Sequence, residues 1–367
     1  MEPLLRPLLP TPSSLGRVAA RYCWNTRYRC LHTTIPKFAN PIPHPTITGP
    51  PPQSPTPDPS NPEDRVARKR RQLELIQRGR EIRANPTKPA STLKKRLWDD
   101  VTVRDTPDGL QIYLDKRPVR TASKDILTIP HSKHPLAAAI ALEWDLLVSA
   151  QQALKHHYIP LTSLASRAVD VANADARGIK NIREDMIKMM MRYLRTDTLL
   201  CWAPEQSVHD APQLDIRKGK ETLRSRQETV AKPIISHLTT VVWPGLEIHP
   251  ILDSDSIVPT AQPEMTQQVI RGWISGLPAF ELAGLERAVL ASKSLLVAVR
   301  FLVEWSREFK HLRLENTPRF DILEAAHAST LEVRWQTAQW GEVEDTHDVE
   351  REDLRRQLGS VVLLVTG

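Results

Sequence analysis

The chain has 367 residues and a formal net charge of +7, long enough for two modest domains with tails. The charge is uneven: residues 1–39 carry +5, 40–62 carry −1 and 63–96 carry +8, which leaves −5 on residues 97–367. A mildly acidic body lacks the basic groove that tracks phosphates, so no nucleic-acid partner is expected of it. The only cysteines, Cys23, Cys30 and Cys201, exclude a disulfide framework and suit a reducing compartment.

Residues 1–35 are rich in Arg, Leu, Ser and Thr and nearly free of acids, the composition of a mitochondrial transit peptide. Pro7, Pro10 and Pro12 break up the leucines, so the unbroken apolar core of a secretory signal is missing; cleavage is expected near Arg29 to Thr33. Residues 36–62 hold eleven prolines and read as a disordered linker, because such a segment buries too little surface to offset ordering entropy. Residues 63–95 form a basic extension with a short helix over 63–84, whose apolar positions Val66, Leu73, Leu75, Ile76 and Ile82 are sparse. It is read either as a solvated extension or as a contact with RNA or a membrane surface. The longest apolar run, Leu290 to Trp305, is interrupted by Lys293 and Arg300. It falls short of the roughly 18 residues that a membrane span needs and reads as an amphipathic helix.

The composition changes at Leu97, and the first domain is placed at 96–205. Runs around Trp98–Val103 and Leu110–Leu114 alternate and flank Thr106-Pro107-Asp108-Gly109. Pro presets φ and Gly supplies a positive φ in such a turn, so the pair reads as a hairpin. Asp115–Pro118 makes a second turn, and Val119–Thr121 with Ile126–Ile129 extends a small antiparallel sheet. Ser132 is expected to cap a helix over 134–150, with Trp144 between helix and sheet. A helix from Pro160 buries Leu164, Ala168, Val169 and Ala172. A long helix spans Asp175–Arg195 with methionines at 186–191 as adaptable core. Asp197 and Thr198 form a hydrogen-bonded turn before Leu199–Trp202, read as a strand or a buried helix end.

The second domain, 206–367, reads as helical. Helices are expected at about 217–238, 263–276, 278–309, 318–340 and 348–358, with extended pieces at Val241–Trp243 and Leu246–Ile248. Leu282, Leu285, Val289, Leu296, Val299 and Leu302 fall on one core face, with Glu286 and Arg287 on its wetter side. Gly359 is expected to end the last helix and release Ser360–Val365 as an edge strand or tail. The fold class is therefore α+β: a small antiparallel-sheet-plus-helix domain followed by an all-α orthogonal bundle.

No phosphate-binding glycine loop, HExxH, CxxC or Gly-x-Ser-x-Gly occurs, so no enzyme activity, cofactor or metal is expected. One stretch stands out, Leu331–Asp348. Leu331, Trp335, Ala338 and Gln339 recur with a helical period, and Gly341 follows the last turn as a helix stop. Glu342, Glu344, Asp345, Asp348, Glu350, Glu352 and Asp353 then crowd against only Arg351 and His347. Either this is a helix corner with core tryptophans and capping acids, or it is a surface that meets another protein. Trp335 is expected in the core.

Five stretches in order carry a resemblance: EWD at Glu143–Asp145, PLT at Pro160–Thr162, TDTLLCW at Thr196–Trp202, FELAGLERAVLASKSL at Phe280–Leu295 and WGEVEDTHD at Trp340–Asp348. Together they resemble the mitochondrial ATP synthase F1 complex assembly factor 2 family, the ATP12 chaperone family, over roughly Arg96–Asp353. The resemblance implies a monomeric matrix chaperone, possible inner-membrane association included, that binds unassembled F1-ATPase alpha subunit transiently and promotes assembly of the F1 sector. It implies the same α+β fold, and the family's acidic motif falls on Glu342, Glu344, Asp345, His347 and Asp348, which with Glu332 and Trp340 are the expected partner contacts. Trp98, Trp144, Asp197 and Glu286 are assigned structural roles. A mitochondrial RNA-binding or ribosome-associated protein, acting through 63–96, is the alternative.

Overall fold

The computed structural model describes residues 70, 74, 95–204, 222–252, 258–313 and 318–366. The segments expected to be a transit peptide and a linker, and nearly all of the expected basic extension, lie outside the described residues; Arg70 and Glu74 are helical and exposed.

The first hairpin forms where turn chemistry places it. Strand β1 (Val101–Thr106) pairs antiparallel with β2 (Gly109–Leu114), Val101 opposite Leu114 and Thr106 opposite Gly109. Gly109 has φ 140°, and a Cβ there would lie 2.5 Å from the Ile129 carbonyl oxygen, so the position excludes any side chain. Short strands β3 (Arg117–Pro118) and β4 (Thr128–Ile129) both pair with β2. Helix α1 (His134–Asp145) packs on β1 and β2. Ser132 does not cap it; the chain enters through a 3-10 turn at His131–Lys133 with no side-chain cap, and Pro135 holds the first helical turn.

The helices then run α2 (Pro160–Ala176), α3 (Asn181–Arg195), α4 (Leu223–His237), α5 (Glu264–Ser275), α6 (Ala279–Ser292), α7 (Leu295–Trp305), α8 (Ile322–Ser329), α9 (Leu331–Trp340) and α10 (His347–Thr366). The buried tier of α6 and α7 is the expected one: Leu282, Leu285, Val289, Leu296, Val299 and Leu302 are all fully buried. Helix α6 packs against α2, α7 and α10. Gly284 permits the last contact: a Cβ there would stand 3.0 Å from Val365 Cγ1. One hydrophobic cluster joins the sheet to the helices, from Leu110 and Ile112 to Leu364 and Val365. The Lys133 ammonium donates to the Leu364 carbonyl at 2.8 Å across the same junction.

Several expected boundaries are corrected. The helix expected over Asp175–Arg195 begins only at Asn181, because Gly178 turns the chain with φ 73°. Leu199–Trp202 is neither strand nor helix end; Thr198–Leu200 is a 3-10 turn, followed by a single bridge from Cys201 to Leu252. The expected helix over 278–309 is two, since Lys293 turns left-handed (φ 57°) and the Ser294 hydroxyl accepts from Val297 N at 3.1 Å. The one over 318–340 also divides, at Thr330. Val241–Trp243 is not extended: α4 widens into a π-turn at Leu238–Val242, and Leu246–Ile248 is irregular. Gly359 ends nothing. Helix α10 continues through it to Thr366, because Leu358, Val361, Leu364 and Val365 are buried on one face, and that burial outweighs the roughly 1 kcal/mol cost of a helical glycine. No described helix is long and apolar enough to cross a membrane.

Candidate partner-binding surface

Four of the five motif stretches fold onto one another. Helix α2 starts at Pro160 with no capping side chain of its own, and Glu143 supplies the missing acceptor from α1. Its carboxylate takes Leu161 N and Thr162 N at 2.8 Å each and the Thr162 hydroxyl at 2.6 Å. Burial pushes the Glu143 carboxyl up, against these donors, which hold it down. The next residue continues the lock: Trp144 Nε1 donates to Thr162 Oγ1 at 2.9 Å, and its ring meets Trp98 edge-on at 5.4 Å. Asp145 receives Arg96 at 2.9 Å. EWD and PLT are thus two halves of one helix junction.

The third and fourth stretches form a second junction. Asp197 is fully buried. One carboxylate oxygen accepts from Leu199 N and the other from Leu296 N, both at 3.0 Å, so one side chain caps a 3-10 turn and the start of α7. Burial pushes its carboxyl up to about 6, while the Ser294 hydroxyl and the surrounding backbone donors pull it down. Glu286, on α6, receives Arg167 of α2 through two hydrogen bonds at 2.9 and 3.0 Å.

The fifth stretch has no such mate. No residue of α9 is buried, so the expected core position of Trp335 is corrected: the ring is half-buried, with the Arg226 guanidinium 5.0 Å above it. The apolar stripe of α9 is covered in part only: it meets α4, and Leu331 and Trp335 stay half-buried. Trp340 is 66% exposed. Gly341 (φ 89°) and Asp345 (φ 60°) then bend the chain sharply, Val343 N donates to His347 Nδ1 at 2.9 Å, and Arg351 holds Glu342 at 3.1 Å. The turn is therefore ordered, and it presents Trp340, Val343 and Val349 to solvent among Glu342, Glu344, Asp345 and Asp348. Glu332 stands apart from them. It accepts from Gln336 at 3.2 Å, eight helical residues or about 12 Å before Trp340.

A second apolar surface had no counterpart in the sequence reading. Leu142 and Leu146, one helical turn apart at the end of α1, are both exposed, as are Val148 and Leu97. Arg96 brings Leu97 alongside by donating to the Asp145 carbonyl at 2.8 Å. The signal was available: apolar residues on both faces of α1, more than one sheet can cover. No group of His, Cys, Asp and Glu among the described residues is placed to hold a metal ion.

Comparison with known proteins supplies the rest. Residues 95–239 match the family described as ATP12 chaperone protein. The chain is 30% identical over 271 residues to the mitochondrial protein atp12 of Schizosaccharomyces pombe, covering 74% of this chain and 81% of that protein. It is 29% identical over 294 residues to the mitochondrial protein ATP12 of Saccharomyces cerevisiae, covering 76% and 85%. The crystal structure of Atp12 from Paracoccus denitrificans superposes with a TM-score of 0.53 at 22% identity, over 74% of this chain and 98% of that one. At that identity the likeness establishes a shared fold.

Proposed function

The chain belongs to the ATP12 chaperone family, and we propose that it is a mitochondrial assembly chaperone of ATP synthase that holds the unassembled F1 alpha subunit. The family is described as a chaperone protein, and the relatives from Schizosaccharomyces pombe and Saccharomyces cerevisiae are named mitochondrial; both descriptions support the reading. A subunit awaiting its neighbours exposes an interface that aggregates. A chaperone must cover that interface and still release it. Apolar anchors ringed by charge do this, because rim charges govern encounter while the anchors govern residence time.

The observation that carries the reading is the ordered, exposed Trp340–Val349 turn. It is the one motif stretch whose aromatic and carboxylate groups are held toward solvent instead of into a junction. In this reading Trp340 is the anchor, and Glu342, Glu344, Asp345, His347 and Asp348 form the rim. The test is retrieval of alpha subunit from mitochondria with the full chain as bait, together with the state of alpha in a strain lacking the protein. Alpha is expected in the bound fraction in the first and in the insoluble pellet in the second. Soluble alpha and normal F1 assembly in the null strain would show the reading to be wrong.

A further inference from the structure

Apolar side chains gather without cover at the end of α1. Leu97, Leu142, Leu146, Val148 and Leu154 are each 58–72% exposed, and Tyr158 is 44% exposed. They flank a small core of their own, made of Trp98, Leu147, Ala150 and Ile159 and separate from the main cluster. Trp98 Nε1 in that core is buried and has no acceptor among the described residues. This edge of the fold is unfinished on two counts, exposed apolar surface and an unanswered donor. Apolar surface gathered in this way marks a contact site.

The chain itself enters the fold here. The Lys95 carbonyl accepts from Ala150 N at 3.0 Å. Arg96 donates to the carbonyls of Trp98, Asp99 and Asp145 and to the Asp145 carboxylate, all at 2.8–2.9 Å. Whatever precedes Lys95 is thereby tethered beside Leu97 and Leu146. Residues 85–94 separate Lys95 from the basic stretch 63–84. They reach at most about 36 Å, against roughly 18 Å for the length of α1. The stretch has an apolar side to offer. Arg70 and Glu74, one turn apart, are helical and exposed, and by helical period Leu75, Ile76 and Ile82 fall on the opposite side. Its charge is compatible as well. Residues 63–84 carry eight basic and four acidic side chains. The edge formed by 95–100 and 142–158 carries Lys95, Arg96 and Lys155 against Asp99, Asp100, Glu143 and Asp145, a net of −1. Asp145 takes Arg96, which leaves Asp99 and Asp100 exposed beside the patch.

We propose that the basic extension, residues 63–84, folds back over the apolar end of α1, with Leu75, Ile76 and Ile82 against Leu142 and Leu146 and its cations beside Asp99 and Asp100. The tether makes this contact intramolecular. A short tether supplies an effective concentration on the order of 1 mM, so a contact whose untethered Kd is about 0.1 mM is roughly 90% occupied. An external partner reaches the end of α1 only by competing with the chain's own extension at that concentration. The proposal goes beyond the chaperone reading and holds whether or not the acidic turn meets the client.

A photoreactive benzoylphenylalanine placed at Leu146 of the full chain tests the contact. Cross-links should run to peptides of 63–84 within one chain, in a yield that dilution leaves unchanged. The yield should fall roughly tenfold when Leu75→Asp and Ile76→Asp are combined. Nile red, an uncharged apolar dye, gives a second reading. Its fluorescence should rise about threefold in that double variant and return to the parent level when Leu142→Asp and Leu146→Asp are added. Leu142 and Leu146 are exposed, so these two changes should keep the parent melting temperature. Absence of 63–84 from the cross-linked peptides overturns the proposal, and so does equal dye binding by the parent and the Leu75→Asp, Ile76→Asp variant. Cross-links between chains that grow with protein concentration would assign the patch to a second copy and overturn it too.

Discussion

Two acidic places in this molecule make opposite use of the same functional group. At Asp197 each carboxylate oxygen meets a backbone N–H at 3.0 Å and the residue is sealed from water. In the turn after Trp340, carboxylates face solvent and the nearest large apolar side chains are exposed with them. The first spends its charge on joining two helix starts; the second leaves it at the surface. A carboxylate's meaning in a family motif is thus decided by whether the fold delivers N–H donors to it. Removing a member of the first group should cost stability, and removing a member of the second should cost binding.

The largest effect is expected at Asp197. Asp197→Ala leaves two buried N–H groups without acceptors, each costing about 1–3 kcal/mol, so a loss of roughly 3–5 kcal/mol is expected in urea denaturation. Its titration makes a second test. The folded carboxyl sits near 6, above its ordinary 3.8, so between those values the native state keeps a proton that the unfolded chain has lost. Stability from this group is full below pH 3.8 and falls as pH rises to 6, by roughly 3 kcal/mol over the window. Glu143 and Glu281, also pushed up by burial, share that sign. His237 opposes it. Burial first, then the Arg300 charge, pushes it down to about 4 against the pull of Glu304. The native state therefore refuses a proton that the unfolded chain accepts below 6.5, and stability from His237 rises with pH over 4 to 6.5. Denaturation midpoints at pH 4, 5 and 6 should climb more steeply in Asp197→Asn than in the parent chain. In His237→Gln they should fall. Parallel profiles in all three proteins would remove both assignments.

Gly284 extends the contrast to packing. Gly284→Ala gains helix propensity but drives a Cβ to 3.0 Å from Val365, and overpacking of this kind costs about 1–3 kcal/mol. A net loss of about 1–2 kcal/mol is expected; Val365 is fully buried, so Val365→Ala is destabilising by itself but should cost less on top of Gly284→Ala than in the parent. A stabilised single variant would show that α6 and α10 part easily.

How far the sequence reaches follows the same division between local and distant partners. The hairpin at 101–114 was legible because Pro107, Asp108 and Gly109 specify a turn by themselves, and the α6–α7 core face because its period is intrinsic to a helix. The break at Lys293 was hidden, since a lysine carries no left-handed signal; the Ser294 cap three residues before Val297 was the available clue. The continuation of α10 was hidden because Gly359 reads as a stop until the burial of Leu358 and Val361 is known. The capping role of Glu143 is not legible in the EWD stretch, because its partners, Leu161 and Thr162, lie 18 and 19 residues away, beyond any spacing rule. The acidity of the candidate surface was legible, but its exposure was not. A helical stripe at Leu331 and Trp335 predicts a wall to pack against, and only the tertiary arrangement shows that the cover on α9 is partial.

The smallest expected stability change decides whether the contrast holds. Trp340 touches no core cluster, so Trp340→Ala should stay within about 0.5 kcal/mol of the parent, the range of ordinary surface substitutions. Its affinity for alpha subunit should fall by roughly tenfold or more if it anchors the contact. Asp348→Lys is a useful companion, because Asp348 lies in the first turn of α10. Reversing its charge opposes the helix dipole and costs about 0.3–1 kcal/mol, enough to register as a small drop in melting temperature. Binding should weaken by more than that drop explains, and more at low ionic strength than at high, since a rim charge acts through a screened field. The two variants separate anchor from rim: Trp340→Ala should raise the dissociation rate, whereas Asp348→Lys should lower the association rate. If both bind alpha as the parent does and Trp340→Ala is the one that unfolds early, the turn is a structural corner after all, and the contact must be sought at the apolar end of α1, around Leu142 and Leu146.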